Sequence, residues 1–335
     1  MIPLQKRSTV IIAAIASALF LVVATLAALL FGASSVGLED VIALLFGGEV
    51  SEATANILLN VRFPRVAAAL LAGAALAVSG ALIQAVLDNP LASPNIIGVN
   101  SGAGCTVLLV GSLLPGFAFL LPFAAFGGAL LAALIIFAIA YSANFSRLTV
   151  VLAGIALSTV FGAGMNAILI LDPDAYTAAG TFLVGGFAGS LSTKILWPSV
   201  FIVVGLVGAL FCTKRLNILS LGDATAHSLG MRVNLNRLVI LALAALLAGA
   251  AVSFAGLLGF VGLIVPHLVR FLVGHDNRAV VPLSAIVGSG FLVACDLLSR
   301  IIFAPYELPV GILMAFLGGP FFIFLILKNR RVAHD

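Results

Sequence analysis

The 335-residue chain is 63% hydrophobic and only 8% charged, with a mean hydropathy of +1.29 and a formal net charge of +4. A soluble domain carries roughly 25% charged residues, so a water-soluble enzyme and a nucleic-acid-binding module are excluded and an integral membrane protein is expected. No polar stretch is long enough to bury a core of its own, which makes residues 1–335 a single membrane domain.

About 20 apolar residues cross a bilayer as a helix, and ten segments qualify. The first, 9–32, follows Lys6 and Arg7; with more apolar segments behind it and no convincing cleavage site, it reads as an uncleaved helix. Residues 33–62 hold LEDVIALLF, amphipathic enough for an interfacial helix. The second span, 63–86, starts within RFPR (62–65) and runs into DNPLASPN, a turn marked by Asn-Pro and Ser-Pro. Spans at 96–114, 119–141 and 148–170 follow, then residues 171–194, which start acidic and become a Gly-rich apolar patch, a short helix or a re-entrant piece. The remaining spans are 195–213, 237–255, 259–273, 279–303 and 308–327. Between the sixth and seventh lies KRLNILSLGDATAHSLGMRVNLNR (214–237), a basic loop whose middle, Gly222 to Gly230, reads as a short helix under the membrane. The predicted fold is therefore all-α and polytopic, with about ten transmembrane helices.

On this topology Lys6, Arg7, Arg147, Lys214, Arg215, Arg232, Arg237, Arg270, Arg278, Lys328, Arg330 and Arg331 share one side, and only Arg62, Arg65, Lys194 and Arg300 fall on the other. Basic loops stay cytoplasmic, so both termini are expected inside. LLAGAALAVSG (70–80) and LLAGAAVSFAG (246–256) lie in helices of opposite direction, the pattern of an inverted repeat.

Enzyme apparatus is missing from the sequence. No G-x-x-x-x-G-K-[ST] loop is present, and none of the four lysines follows a glycine. Cys105, Cys212 and Cys295 are widely separated and read as packing residues; His227, His267, His275 and His334 read as surface or interfacial groups rather than metal ligands. Ionisable groups inside the bilayer are the usual sign of ion coupling, and here they are few. Asp296 is expected to pair locally with Arg300 at i,i+4, with a proton relay as the alternative; Gln84 and Asn166 are expected to bond between helices. Their scarcity points to an energy source outside the chain. The outward Arg62, Arg65 and Arg300 run against the charge bias and read as a basic ring receiving acidic groups of a docking partner, or as anchors to lipid phosphate.

RFPR followed by GALIQAVLDNPLASPNIIGVNSGAG, then LSLGDATAHSLGM, GFVGLIVPHLVR with GHDNR, and ELPVGILMAFLGGPFFIFLI occur in that order. With these landmarks, nearly the whole chain resembles the FecCD family of ABC-transporter permeases, importers of ferric siderophores, haem and vitamin B12. The resemblance implies the permease fold of the vitamin B12 importer (a type II ABC importer), with ten helices per subunit. It implies a dimer with a second copy or a close paralogue, and a path along the dimer interface. It also implies two cytoplasmic ATPase subunits that hold ATP and Mg, an extracytoplasmic binding protein, and a bacterial cell membrane around the whole. No cofactor, metal or catalytic residue is expected in this chain. Gly222, Asp223, Ala226, Leu229 and Gly230 match the loop that couples such permeases to their ATPase. Arg62, Arg65 and Arg300 match arginines that pair with glutamates of the binding protein, and Asn144 and Phe145 match the cytoplasmic gate. Ferric siderophore is the expected cargo, then haem or cobalamin; an ion-coupled secondary transporter is the alternative.

Overall fold

The computed structural model describes residues 4–32, 36–48, 50–143, 146–189, 192–304 and 306–332. Fourteen α-helices account for most of them: α1 (Leu4–Leu30), α2 (Leu38–Phe46), α3 (Glu52–Ile57), α4 (Phe63–Leu87), α5 (Val99–Leu113), α6 (Leu121–Ser142), α7 (Arg147–Leu171), α8 (Ala175–Val184), α9 (Ser192–Leu219), α10 (Asp223–Ser228), α11 (Val233–Ala255), α12 (Val261–Val273), α13 (Asn277–Ile301) and α14 (Val310–Val332). Seven are long and apolar enough to cross a membrane, α3 and α4 counting as one through a π turn at Leu58–Arg62. Three apolar helices are shorter: Val99–Leu113, Val261–Val273 and Val310–Leu325.

At 1.5 Å per residue, α5 and α12 are only about 20 Å long, short of a hydrocarbon core of about 30 Å. Irregular backbone must complete them, and in a membrane that is tolerated only where protein satisfies its polar groups. The 3-10 turn Pro94–Ile97 leads into α5, and Asn100 Nδ2 donates to Leu258 O at 3.2 Å across to the segment before α12. The helix expected over 259–273 begins at Val261 because Phe260 takes φ +65°, and Gln84 Nε2 donates to Gly262 O at 3.1 Å in its first turn.

Helix α4 is the hub. Its apolar window is 83% buried, against 11% for α1 and for α7. It packs on α13, α11, α12 and α9. Small residues permit this: a Cβ on Gly73 would strike the Gly288 carbonyl, and one on Gly80 the Gly262 carbonyl. Helix α8 is stitched to its neighbours by backbone bonds, Leu257 N–H to Phe182 O at 2.9 Å, Gly186 N–H to Ala255 O at 2.8 Å and Gly311 N–H to Gly185 O at 3.1 Å.

The basic loop is shorter than the expected 214–237. Helix α9 continues to Leu219 and α11 starts at Val233, so Lys214, Arg215 and Arg237 sit on helices and only 220–232 connect them around α10.

Candidate functional site: polar clusters at the two ends of the bundle

Arg62, at the entry to α4, meets the C-terminus of α1, and Arg300, at the end of α13, meets it too. These contacts define an arginine end. Asn217, near the end of α9, bonds Asp276 and Asn277 at the start of α13, which places α10 at the opposite end, the loop end. Helix α1 starts at the loop end and α14 runs back towards it.

At the arginine end, the Arg65 guanidinium grips Asp296 with Nε (3.0 Å to Oδ2) and Nη2 (3.0 Å to Oδ1), and its Nη1 reaches Glu307 Oε2 at 2.7 Å. Arg300 Nε approaches Asp296 Oδ2 at 3.3 Å, while its Nη1 and Nη2 donate to Phe31 O and Ala28 O at 3.4 and 3.2 Å. Arg62 Nη1 donates to Leu29 O and to Leu30 O. The last four carbonyls of a helix lack partners and carry partial negative charge. Two arginines from other helices therefore cap α1.

The three arginines expected to form a docking ring are engaged within the chain. Arg62, Arg65 and Arg300 are only 3%, 7% and 5% exposed, because Asp296, Glu307 and the α1 carbonyls already occupy them. Asp296 does pair with Arg300, but it is also clamped by Arg65 on α4. Beside Arg65 and Glu307 a cavity of about 310 Å³ opens, lined also by Lys194, Phe187, Phe254 and Pro309.

At the loop end, α10 is bounded by Gly222 (φ +92°) and Gly230 (φ +79°). A Cβ at either would meet nothing within 4 Å, so backbone conformation, not space, demands glycine there. Ala226 is fully buried against the bundle, and Asp223, its side chain half exposed, has Oδ1 accepting from Arg237 Nη2 at 2.7 Å. Leu229 is 62% exposed and points outwards. Of the five expected coupling residues, then, two set the turns, two tie the helix to the bundle and one is exposed. A cleft of about 650 Å³ lies beside them, lined by Tyr141, Asp223, His227, Arg232 and Leu235. Nearby, Arg147 Nη1 pairs with Asp88 Oδ2 at 2.9 Å, joining the start of α7 to the end of α4. The expected gate residues Asn144 and Phe145 lie outside the described residues.

Sequence reasoning missed Arg237, Asn217 and Glu307, and also Arg270, which donates to Gln84 Oε1 and Ala81 O. One signal was available for this end of α13. Asp276 in GHDNR stands directly before a helix, as an N-cap should, and its side chain accepts from Arg278 N–H at 3.0 Å.

A helical bundle with this many apolar spans, polar residues gathered at its two ends and an exposed short helix at one of them is a polytopic membrane protein. The chain belongs to the FecCD transport family, whose model matches residues 19–328. It is 34% identical over 330 residues to the Fe(3+)-citrate import system permease protein YfmE of Bacillus subtilis (strain 168), covering 98% of both chains. It is 37% identical over 294 residues to the hemin transport system permease protein HmuU of Yersinia pestis, covering 86% of this chain and 88% of that one. A solved metal-chelate type ABC transporter in an inward-facing conformation superposes with a TM-score of 0.81 at 29% identity, covering 94% of this chain and 98% of its own. The chain is thus a multi-pass membrane permease of an ABC importer, working with an ATPase and a substrate-binding protein.

Proposed function

We propose that this permease carries an iron chelate into the cytoplasm, a ferric siderophore or ferric citrate before haem or cobalamin, as one of two paired copies or close paralogues. The loop end is the cytoplasmic end: it gathers Arg147, Lys214, Arg215, Arg232, Arg237 and Arg278, and basic residues are retained inside. Both termini are then cytoplasmic. Helix α10 is the seat of the ATPase, and Asn144 and Phe145 are the cytoplasmic gate. The observation that carries this reading is the exposed six-residue helix between two positive-φ glycines, at the end opposite the arginine cluster.

The arginine end receives the binding protein. Arg62, Arg65 and Arg300 hold this mouth together through Asp296, Glu307 and the end of α1, and exposed Lys194 stands on the cavity rim. The buried arginines shape the docking face, while Lys194 offers the direct contact. Uptake of radioactive ferric citrate and of haemin into proteoliposomes holding the permease, its ATPase and its binding protein tests the reading. Accumulation that needs ATP on the loop-end side supports it. Accumulation by the permease alone under an imposed ion gradient overturns it in favour of a secondary transporter.

A further inference from the structure

Helices α6 and α9 both pack on α11. Leu243 and Leu247 of α11 fill the places that Gly208 and Gly205 open on α9, and Gly249 of α11 lies against Ala129 and Phe126 of α6. Between those two lines of contact α11 shows a further face, with Leu235, Val239, Ala242 and Leu246 at helical spacing. Exposure along it falls from Leu235 (52%) and Val239 (38%) to a half-buried Leu246 and a buried Gly249. The face is the floor of a groove, open at the loop end and shut towards the arginine end.

Aromatic rings shut it. Phe123 of α6 stacks on Trp197 of α9 at 4.7 Å and 10°, and Phe126 reaches Trp197 and Phe201 at 5.3 and 5.0 Å. From these rings both walls run down to the loop end. Tyr141 lies about five turns beyond Phe123 on the same face of α6, and Arg215 about five turns beyond Trp197 on the same face of α9. The floor ends at Leu235, just past Arg232, and both line the cleft of about 650 Å³, as Tyr141 does. Floor and walls thus turn from apolar to polar together, with two arginines at the mouth. Neither Arg215 nor Arg232 meets an acid among the described residues. Asp223, the acid that lines the cleft, is bonded to Arg237 at 2.7 Å.

At 1.5 Å per residue the floor from Leu235 to Gly249 is about 21 Å long. An acyl chain that fills one leaflet needs about 15 Å, half of a hydrocarbon core of about 30 Å. A soluble partner reaches the mouth but not this depth. An apolar tail with an anionic head matches both parts, and basic pockets between membrane helices suit such headgroups. We propose that the groove between α6, α9 and α11 binds a phospholipid with an acidic headgroup, its acyl chain on the α11 floor and its phosphate between Arg215 and Arg232. The headgroup then braces the joint between α10 and α11, where Gly230 takes φ +79°. The site is independent of the cargo.

Native mass spectrometry of the purified full-length permease in non-ionic detergent tests this, with dioleoyl phosphatidylglycerol or dioleoyl phosphatidylcholine added and the melting temperature measured alongside. Phosphatidylglycerol should bind more tightly and raise the melting temperature. R215Q and R232Q should each weaken it about fivefold, the scale of one basic residue at an anionic surface, and leave phosphatidylcholine unchanged. V239W and A242W fill the floor without touching the charges, and both should lose the lipid and the thermal shift. R278Q, at the start of α13, should behave as wild type, and inorganic phosphate should not displace the lipid. The site is refuted if phosphatidylcholine binds as tightly, if R278Q weakens binding as much as R232Q, or if monodisperse V239W and A242W bind as wild type. Displacement by inorganic phosphate would reduce it to an anion pocket without a lipid and overturn the proposal. So would a cross-link from Val239→Cys to a second copy or to the ATPase, which would make the groove a protein interface.

Discussion

Asp296 is the residue on which the arginine end turns. It neutralises Arg65 through three hydrogen bonds and approaches Arg300, all three side chains being buried. Breaking a buried pair by removing one partner costs about 3–5 kcal/mol, so Asp296→Ala should lose stability on that scale, read as a lowered melting temperature of the purified protein. Glu307 meets the same arginine from a side chain 38% exposed, and exposed pairs contribute about 0–1 kcal/mol. Glu307→Gln should therefore leave the melting temperature nearly unchanged. Lys194→Glu should weaken binding-protein docking by about two- to fivefold, the range of a single exposed ion pair, and the loss should shrink as salt rises. An affinity insensitive to both substitution and salt would remove Lys194 from the docking face. Only part of this cluster was legible in the sequence. Asp296 and Arg300 are one helical turn apart, and that spacing announces a pair. Arg65 and Asp296 are 231 positions apart, and no local pattern links them. Arg62 was harder still, since its partners are backbone carbonyls of α1, which carry no residue-type signature.

Among the elements, the long spans and the small-residue stripe of α4 could be read directly, because lipid solubility and close packing both leave compositional marks. The ends of helices could not. Lys214 and Arg215 mark where apolar character stops, but α9 continues to Leu219. Hydropathy reports contact with lipid, whereas a helix ends where its hydrogen bonds do. The short α12 was misjudged by two residues at its start for a related reason: its first turn is shaped by Phe260 and by Gln84 from α4, a tertiary influence. The packing of α4 yields a sharp contrast. Gly80 meets the Gly262 backbone, whereas Gly127 on α6 has nothing within 4 Å of a built Cβ. Overpacking costs about 1–3 kcal/mol, more where backbone must move. Gly80→Val should abolish monodisperse protein in detergent, and Gly127→Val should preserve it.

Across the whole molecule, α1 and α7 are left equally bare by the rest of the chain, yet their uncovered faces differ. That of α1 is apolar throughout its exposed middle, with Ile11, Ile12, Ile15, Leu19, Val22 and Val23. That of α7 mixes Ile155, Val160 and Ile170 with Thr159 and Asn166. Thr159 satisfies its hydroxyl by donating to Ile155 O at 2.9 Å, but an amide such as Asn166 facing hydrocarbon would be expensive. Polar side chains at such depth face other helices or water. Lipid therefore suits α1, and a second copy or the transport path suits α7. In a background with Cys105, Cys212 and Cys295 replaced, Asn166→Cys should cross-link between copies or react with a water-soluble maleimide. Ile15→Cys should do neither. Both reactions should also change when the complex is trapped with nucleotide, because a face lining a path must be covered and uncovered in turn. Equal inertness at the two positions would return α7 to the lipid and move the dimer axis to another face of the bundle.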